Sequence, residues 1–120
     1  MKQFFAVGIG GFLGAITRYG LSQVMPPFNG FPYITVCINS IGCFFLAWLF
    51  TKYTKRTPLV LAIGTGFLGA FTTFSTFSVD TLLLVEQGKW LLAGSYVASS
   101  VGGGLLCAAL GVTIARRFAR

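Results

Sequence analysis

Histidine is absent and acidic side chains are nearly so, Asp80 and Glu86 being the only two in 120 residues. That scarcity removes most general acid–base chemistry, the Ser-His-Asp triad and the usual zinc sites, and with them most enzyme classes. Cysteine occurs three times, at Cys37, Cys43 and Cys107, an odd number with no CxxC pair and each within an apolar stretch. Small apolar filler is the reading that fits. Charge is scarce as well: 9% of residues are charged, against about 25% in a soluble domain. The nine basic residues sit mainly at segment ends and not along a face interleaved with aromatics, so nucleic acid finds no footprint.

Long apolar sequence is what the chain has in quantity, with 55% hydrophobic residues and a mean hydropathy of +0.82. Four segments, about 4–25, 32–50, 58–85 and 90–115, each approach or exceed the roughly 20 residues that a spanning helix needs. The expected fold class is an all-α membrane protein, a single domain of four transmembrane helices over residues 1–120. Connections are short, with Pro-Pro and Asn-Gly turn signals between Pro26 and Phe31, a basic link from Thr51 to Thr57, and Gly88 in the third. They leave no room for a soluble catalytic domain. The first segment is too long for a signal peptide and has no small-residue cleavage site, so it reads as a retained helix.

If the helices alternate in direction, Lys2, Lys52, Lys55, Arg56, Arg116, Arg117 and Arg120 fall on one side of the membrane and only Arg18 and Lys89 on the other. The positive-inside rule then puts both termini in the cytoplasm. Small residues four apart, Gly10 and Gly14, Gly11 and Ala15, Gly66 and Ala70, Ser99 and Gly103, predict close helix contacts. Gly64, Gly66 and Gly69 match GxGxxG, but no strand precedes them and no βαβ unit surrounds them, so a dinucleotide site is rejected.

The segment Gly66 to Asp80, GFLGAFTTFSTFSVD, places five hydroxyls and two phenylalanines in the seven positions 72–78. Unpaired hydroxyls are costly in lipid, so Thr72, Thr73, Ser75, Thr76 and Ser78 read as pore or interface groups. Helical spacing aligns Thr35 with Asn39 on the second segment, Thr73, Thr76 and Asp80 on the third, and Tyr96 with Ser100 on the fourth. A mid-span carboxamide such as Asn39 needs partners, either a neighbouring helix or a transported species. Four short helices cannot both enclose an aqueous path and shield these groups from lipid, which predicts an oligomer.

The run Gly66 to Asp80, together with Gly10-Gly11-Phe12-Leu13-Gly14-Ala15, Arg18-Tyr19 and Asn39-Ser40-x-Gly42, resembles the CrcB/Fluc family of fluoride channels, and the resemblance covers essentially the whole chain. It implies an antiparallel, dual-topology dimer with two fluoride pores along the subunit interface, a third helix broken near its middle, and a central structural Na⁺. By position, Phe74 and Phe77 resemble the phenylalanines beside which fluoride passes and Asn39 the pore asparagine. Thr35, Tyr96 and Ser100 resemble the polar track, with Ser75 and Thr76 close by. Asp80 falls at a pore mouth, and Arg18 is suited either to recruit anions there or to pair with helix-end carbonyls. The backbone carbonyls of Gly69 and Thr72 correspond to the Na⁺ ligands. The implied role is passive export of fluoride across a bacterial cell membrane, relieving its toxicity. Three positions depart from the usual pattern: Gly104 where a serine can stand, Phe71 for the commoner Leu, and Asp80 for Glu.

Hydroxyls, an amide and ring edges can replace the water of a small, strongly hydrated anion without trapping it, as a lysine would. Gly69 and the β-branched Thr72 and Thr73 make a helix break plausible, and carbonyls freed by it suit a hard cation. The seven-to-two basic bias is awkward for a homodimer inserted both ways, so an oppositely oriented paralogue is the other candidate partner. A small dual-topology multidrug exporter and a non-conducting membrane subunit are the competing functions. The first would want a carboxylate in the first helix, which has none; the second leaves the aligned hydroxyls unexplained.

Overall fold

The structure is a computed structural model describing residues 1–119. Helix α1 covers Lys2–Val24 and α2 covers Tyr33–Lys52. The third span is composite: α3 over Pro58–Leu61, a π-helical stretch over Ala62–Leu68, α4 over Gly69–Phe71 and, after a break, α5 over Ser75–Glu86. Helix α6 covers Trp90–Arg117. Four helical segments are long and apolar enough to cross a membrane, and the third is interrupted at the hydroxyl-rich run, as the family resemblance implies. The chain is a multi-pass membrane protein. Its outer surface carries Phe4, Phe5, Phe12, Leu91, Leu105 and Leu106 in exposed positions, a distribution that lipid tolerates and water does not.

Local chemistry explains the connections. Asn29 and Gly30 have φ of 52° and 81°, and Phe28 and Phe31 exchange backbone hydrogen bonds of 3.2 and 3.0 Å across them. Two consecutive positive φ values define the tight turn that Asn-Gly favours. Thr57 caps the third span, its hydroxyl accepting from the Val60 N–H at 3.2 Å, with Pro58 in the first turn. At the far end Gly88, φ 74°, lets its own N–H and that of Lys89 reach back to the carbonyls of Val85 and Leu84. That is the glycine-terminated Schellman arrangement.

The break changes which helix the third span packs against. Its first half lies along α1, whereas α5 lies against α6, and α2 packs along α6 for much of its length. Glycine makes the first contact possible: a Cβ at Gly10 would run into the Ala62 carbonyl, and one at Gly14 into the carbonyl of Phe67. Backbone meeting backbone is the expected product of small residues spaced four apart. The GxGxxG string therefore serves packing, with Gly64 leaving room for the Phe50 ring and Gly66 for α1.

Candidate functional site at the helix break

Thr72 leaves the helix with ψ of 155°, so the Thr73 N–H cannot reach the Gly69 carbonyl it would meet in a continuous helix. Asn39 on α2 supplies the replacement. Its Oδ1 accepts from the Thr73 N–H at 2.7 Å and its Nδ2 donates to the Thr73 carbonyl at 2.9 Å. One side chain thus satisfies both backbone groups of the broken residue and keeps one Nδ2 hydrogen to spare. The α5 end of the break is closed by Thr73 itself, whose Oγ1 accepts from the Thr76 N–H at 3.1 Å. The same hydroxyl lies 3.2 Å from both Thr76 Oγ1 and Ser75 Oγ.

On the other side of the break, Thr72 Oγ1 donates to the Leu68 carbonyl at 3.0 Å and lies 3.4 Å from that of Gly69. Arg18 reaches from α1 to the break, where its Nε donates to the Ala70 carbonyl at 3.0 Å. Of its two expected roles, the pairing with a helix-end carbonyl is the contact found. It is also electrostatically apt, since the C-terminal end of a helix attracts a cation. Among the described residues, no backbone donor meets the Thr72 carbonyl, and Gly69 has only the long contact from Thr72.

Beside the break is a cleft of about 310 Å³, lined in part by Asn39, Cys43, Thr73, Phe74, Phe77 and Ser100. Ser100 Oγ is buried there with no hydrogen-bond partner, and Phe74 is 78% exposed. Gly104 adjoins this region, a Cβ on it lying 3.4 Å from Cys43 Sγ. Phe71 is instead buried against Phe67, the two rings stacked with centroids 5.9 Å apart.

A row of rings leads away from the cleft. Phe74 and Phe77 have centroids 5.7 Å apart, Phe77 meets Tyr96 edge-on at 5.3 Å, and Tyr96 meets Phe31 at 5.8 Å. Tyr96 is fully buried at 0% exposure, and its hydroxyl donates to Asp80 Oδ2 at 3.1 Å. Thr35 Oγ1 donates to the same oxygen at 3.3 Å. Three helices thus converge on one carboxylate, which also borders a 240 Å³ pocket at the α1–α2 turn with Pro27, Gly30 and Gln87.

The sequence-selected residues therefore form two clusters. Asn39, Phe74, Phe77 and Ser100 share the cleft, with Ser75 and Thr76 tied to it through Thr73; Thr35, Tyr96 and Asp80 form the second group, joined by the aromatic row. Cys43 as a wall of the cleft was not foreseen from sequence. Its one available signal is that it stands four residues after Asn39, on the same helix face.

The chain is similar to known proteins over most of its length. Residues 5–112 match the family described as CrcB-like protein, Camphor Resistance (CrcB). A Bacillus cereus protein named fluoride-specific ion channel FluC 1 is 48% identical over 118 residues, covering 92% of this chain and 81% of the relative. One from Oceanobacillus iheyensis, named fluoride-specific ion channel FluC, is 47% identical over 120 residues, covering 96% and 92%. A third, fluoride-specific ion channel FluC 2 of Listeria monocytogenes, is 49% identical over 112 residues, covering 90% and 86%. With the match extending through all four spans and the helix break lying within it, the chain belongs to the CrcB-like family.

Proposed function

We propose that this chain is a fluoride-selective channel that lets fluoride leave a bacterial cytoplasm passively across the cell membrane. The observation that carries the reading is the open cleft at the break, where the partnerless Ser100 hydroxyl and the Asn39 carboxamide stand beside Phe74 and Phe77. Two hydrogen-bond donors and two ring edges replace part of an anion's hydration without a fixed positive charge to trap it. From the cleft, the aromatic row runs toward Thr35, Tyr96 and Asp80, which we assign to the outer part of the same path. The carboxylate there holds both hydroxyl donors, so these hydroxyls are shared between Asp80 and a passing anion. Names of the relatives, fluoride-specific ion channels, supply the choice of ion.

The pore is completed by a second copy in antiparallel orientation. Support comes from the 78% exposure of Phe74 and from a cleft open at its side that carries the Asn39 and Ser100 polar groups, which in lipid would be left unsatisfied. Two copies provide two such clefts, each covered by the partner. A paralogue of opposite orientation would serve the same purpose, and the seven-to-two basic bias keeps it in play. Crosslinking of protein expressed alone decides between them, because the homodimer requires a dimer from this chain without help.

A structural Na⁺ fits the donor set at the break. The Gly69 and Thr72 carbonyls are the ones left without good partners, and uncharged backbone oxygens suit a hard cation. One chain offers two of them, too few for a cation, and a second copy would bring the number to four. The ion would tie the two broken helices together by charge.

The test is fluoride efflux, read by an electrode, from liposomes containing only this chain at equal pH on both sides. A channel conducts under those conditions. A proton-coupled exporter would generate a pH difference as fluoride left, read by a lumenal pH dye, and a non-conducting subunit would give no flux.

A further inference from the structure

Away from the cleft beside the break, a groove of about 700 Å³ lies between the end of α2 and the start of the third span. We propose that this groove binds an anionic phospholipid, with its phosphate held by Lys52 and Lys55 and an acyl chain lying on Leu59 and Ile63. The inference does not depend on what the chain conducts.

Charge and depth fit such a ligand. Lys52 closes α2 and Lys55 follows it in the connection, so both stand at the membrane–water boundary, where a headgroup sits. The Lys52 ammonium is placed over the Trp48 ring at 4.8 Å and near Tyr53 at 5.6 Å. Those rings restrict the lysine without neutralising it. Neighbouring Arg56 is otherwise engaged, donating to the Tyr53 carbonyl at 2.8 Å and lying over Phe50 at 4.1 Å. The two side-chain carboxylates, Asp80 and Glu86, belong to the far half of the third span. No acidic side chain therefore competes for the groove's lysines.

The deeper part is apolar. Leu59 is 69% exposed and Ile63, one turn further into the bilayer, is 41% exposed, while buried Leu49 and Val60 make the floor. A free phosphate would satisfy the lysines but leave these walls bare, and a choline lipid would bring its own cation to the basic rim. An anionic lipid satisfies both halves, and basic pockets between spans on a positively biased side are where such headgroups bind.

The experiment uses the full purified chain in a neutral detergent, with binding of phosphatidylglycerol and phosphatidylcholine measured by native mass spectrometry and by thermal stabilisation. Phosphatidylglycerol should bind at least tenfold more tightly. The double change Lys52→Gln with Lys55→Gln should weaken its binding about twenty-five-fold, each lysine being worth about fivefold. Arg116→Gln with Arg117→Gln removes the same charge from the same side but outside the groove, and should weaken binding less than threefold. Equal binding of the two lipids, equal loss in both double variants, or full stabilisation by millimolar inorganic phosphate would each overturn the proposal. If the lysine variant fails to fold, the lipid ratio of the unmodified chain decides.

Discussion

Replacing Asn39 by alanine should destabilise the fold before it says anything about ions. The carboxamide makes two hydrogen bonds to Thr73, of 2.9 and 2.7 Å. Polar contacts between membrane helices average about 0.6 kcal/mol and reach about 1.7, so the two bonds together contribute about 1–3 kcal/mol. Orphaning adds to this. The Thr73 N–H is part-buried and turned away from the Gly69 carbonyl, and a buried donor left without an acceptor costs about 1–3 kcal/mol. The expected loss is about 2–6 kcal/mol, read by unfolding in mixed micelles of rising SDS mole fraction. Asn39→Leu, which keeps the branch at Cγ but removes both the donor and the acceptor, should lose at least as much, since its larger side chain adds crowding. A change below about 0.5 kcal/mol in the alanine variant, or recovery of stability with leucine, would refute the assignment of Asn39 as the clamp of the break.

Three further outcomes follow from the same geometry. Gly42→Ala would push a methyl into Thr72 Cγ2 and should cost about 1–3 kcal/mol; adding Thr72→Ser, which removes that carbon and keeps the hydroxyl, should restore most of it in a thermal melt. Ser100→Ala removes a buried hydroxyl without a partner, so stability should hold or rise by up to about 1 kcal/mol while fluoride flux falls; a loss of stability would mean the hydroxyl is structural. Tyr96→Phe deletes one of the two donors to Asp80 and should cost about 1.5–3 kcal/mol, measured by the same micelle titration.

Much of the architecture was legible because membrane helices declare themselves by length and apolarity. The break was implied by the family resemblance, and Gly69, Thr72 and Thr73, which weaken a helix by local chemistry, made it plausible. The π-helical stretch Ala62–Leu68 was not legible. It coincides with close tertiary contacts, Gly64 against the Phe50 ring and Gly66 against the α1 backbone, which leave no periodic trace in the segment. Polar rows picked out the right helices for Thr35, Asn39, Asp80 and Tyr96 but not their pairings. Spacing puts Thr35 and Asn39 on one face, yet Thr35 reaches Asp80 while Asn39 holds Thr73, because the break displaces one half of the third span relative to the other. Arg18 had two readings from sequence, and only the fold brings its Nε to the Ala70 carbonyl.

The central claim is conduction of fluoride through the cleft beside Phe74. Its most direct test compares fluoride and chloride efflux from liposomes containing the unmodified chain, and then the Phe74→Ile variant at matched protein content. Rapid fluoride efflux with no measurable chloride efflux, lowered at least tenfold in the folded variant, is the result predicted. Equal passage of the two anions, or unchanged fluoride efflux in Phe74→Ile, would contradict it.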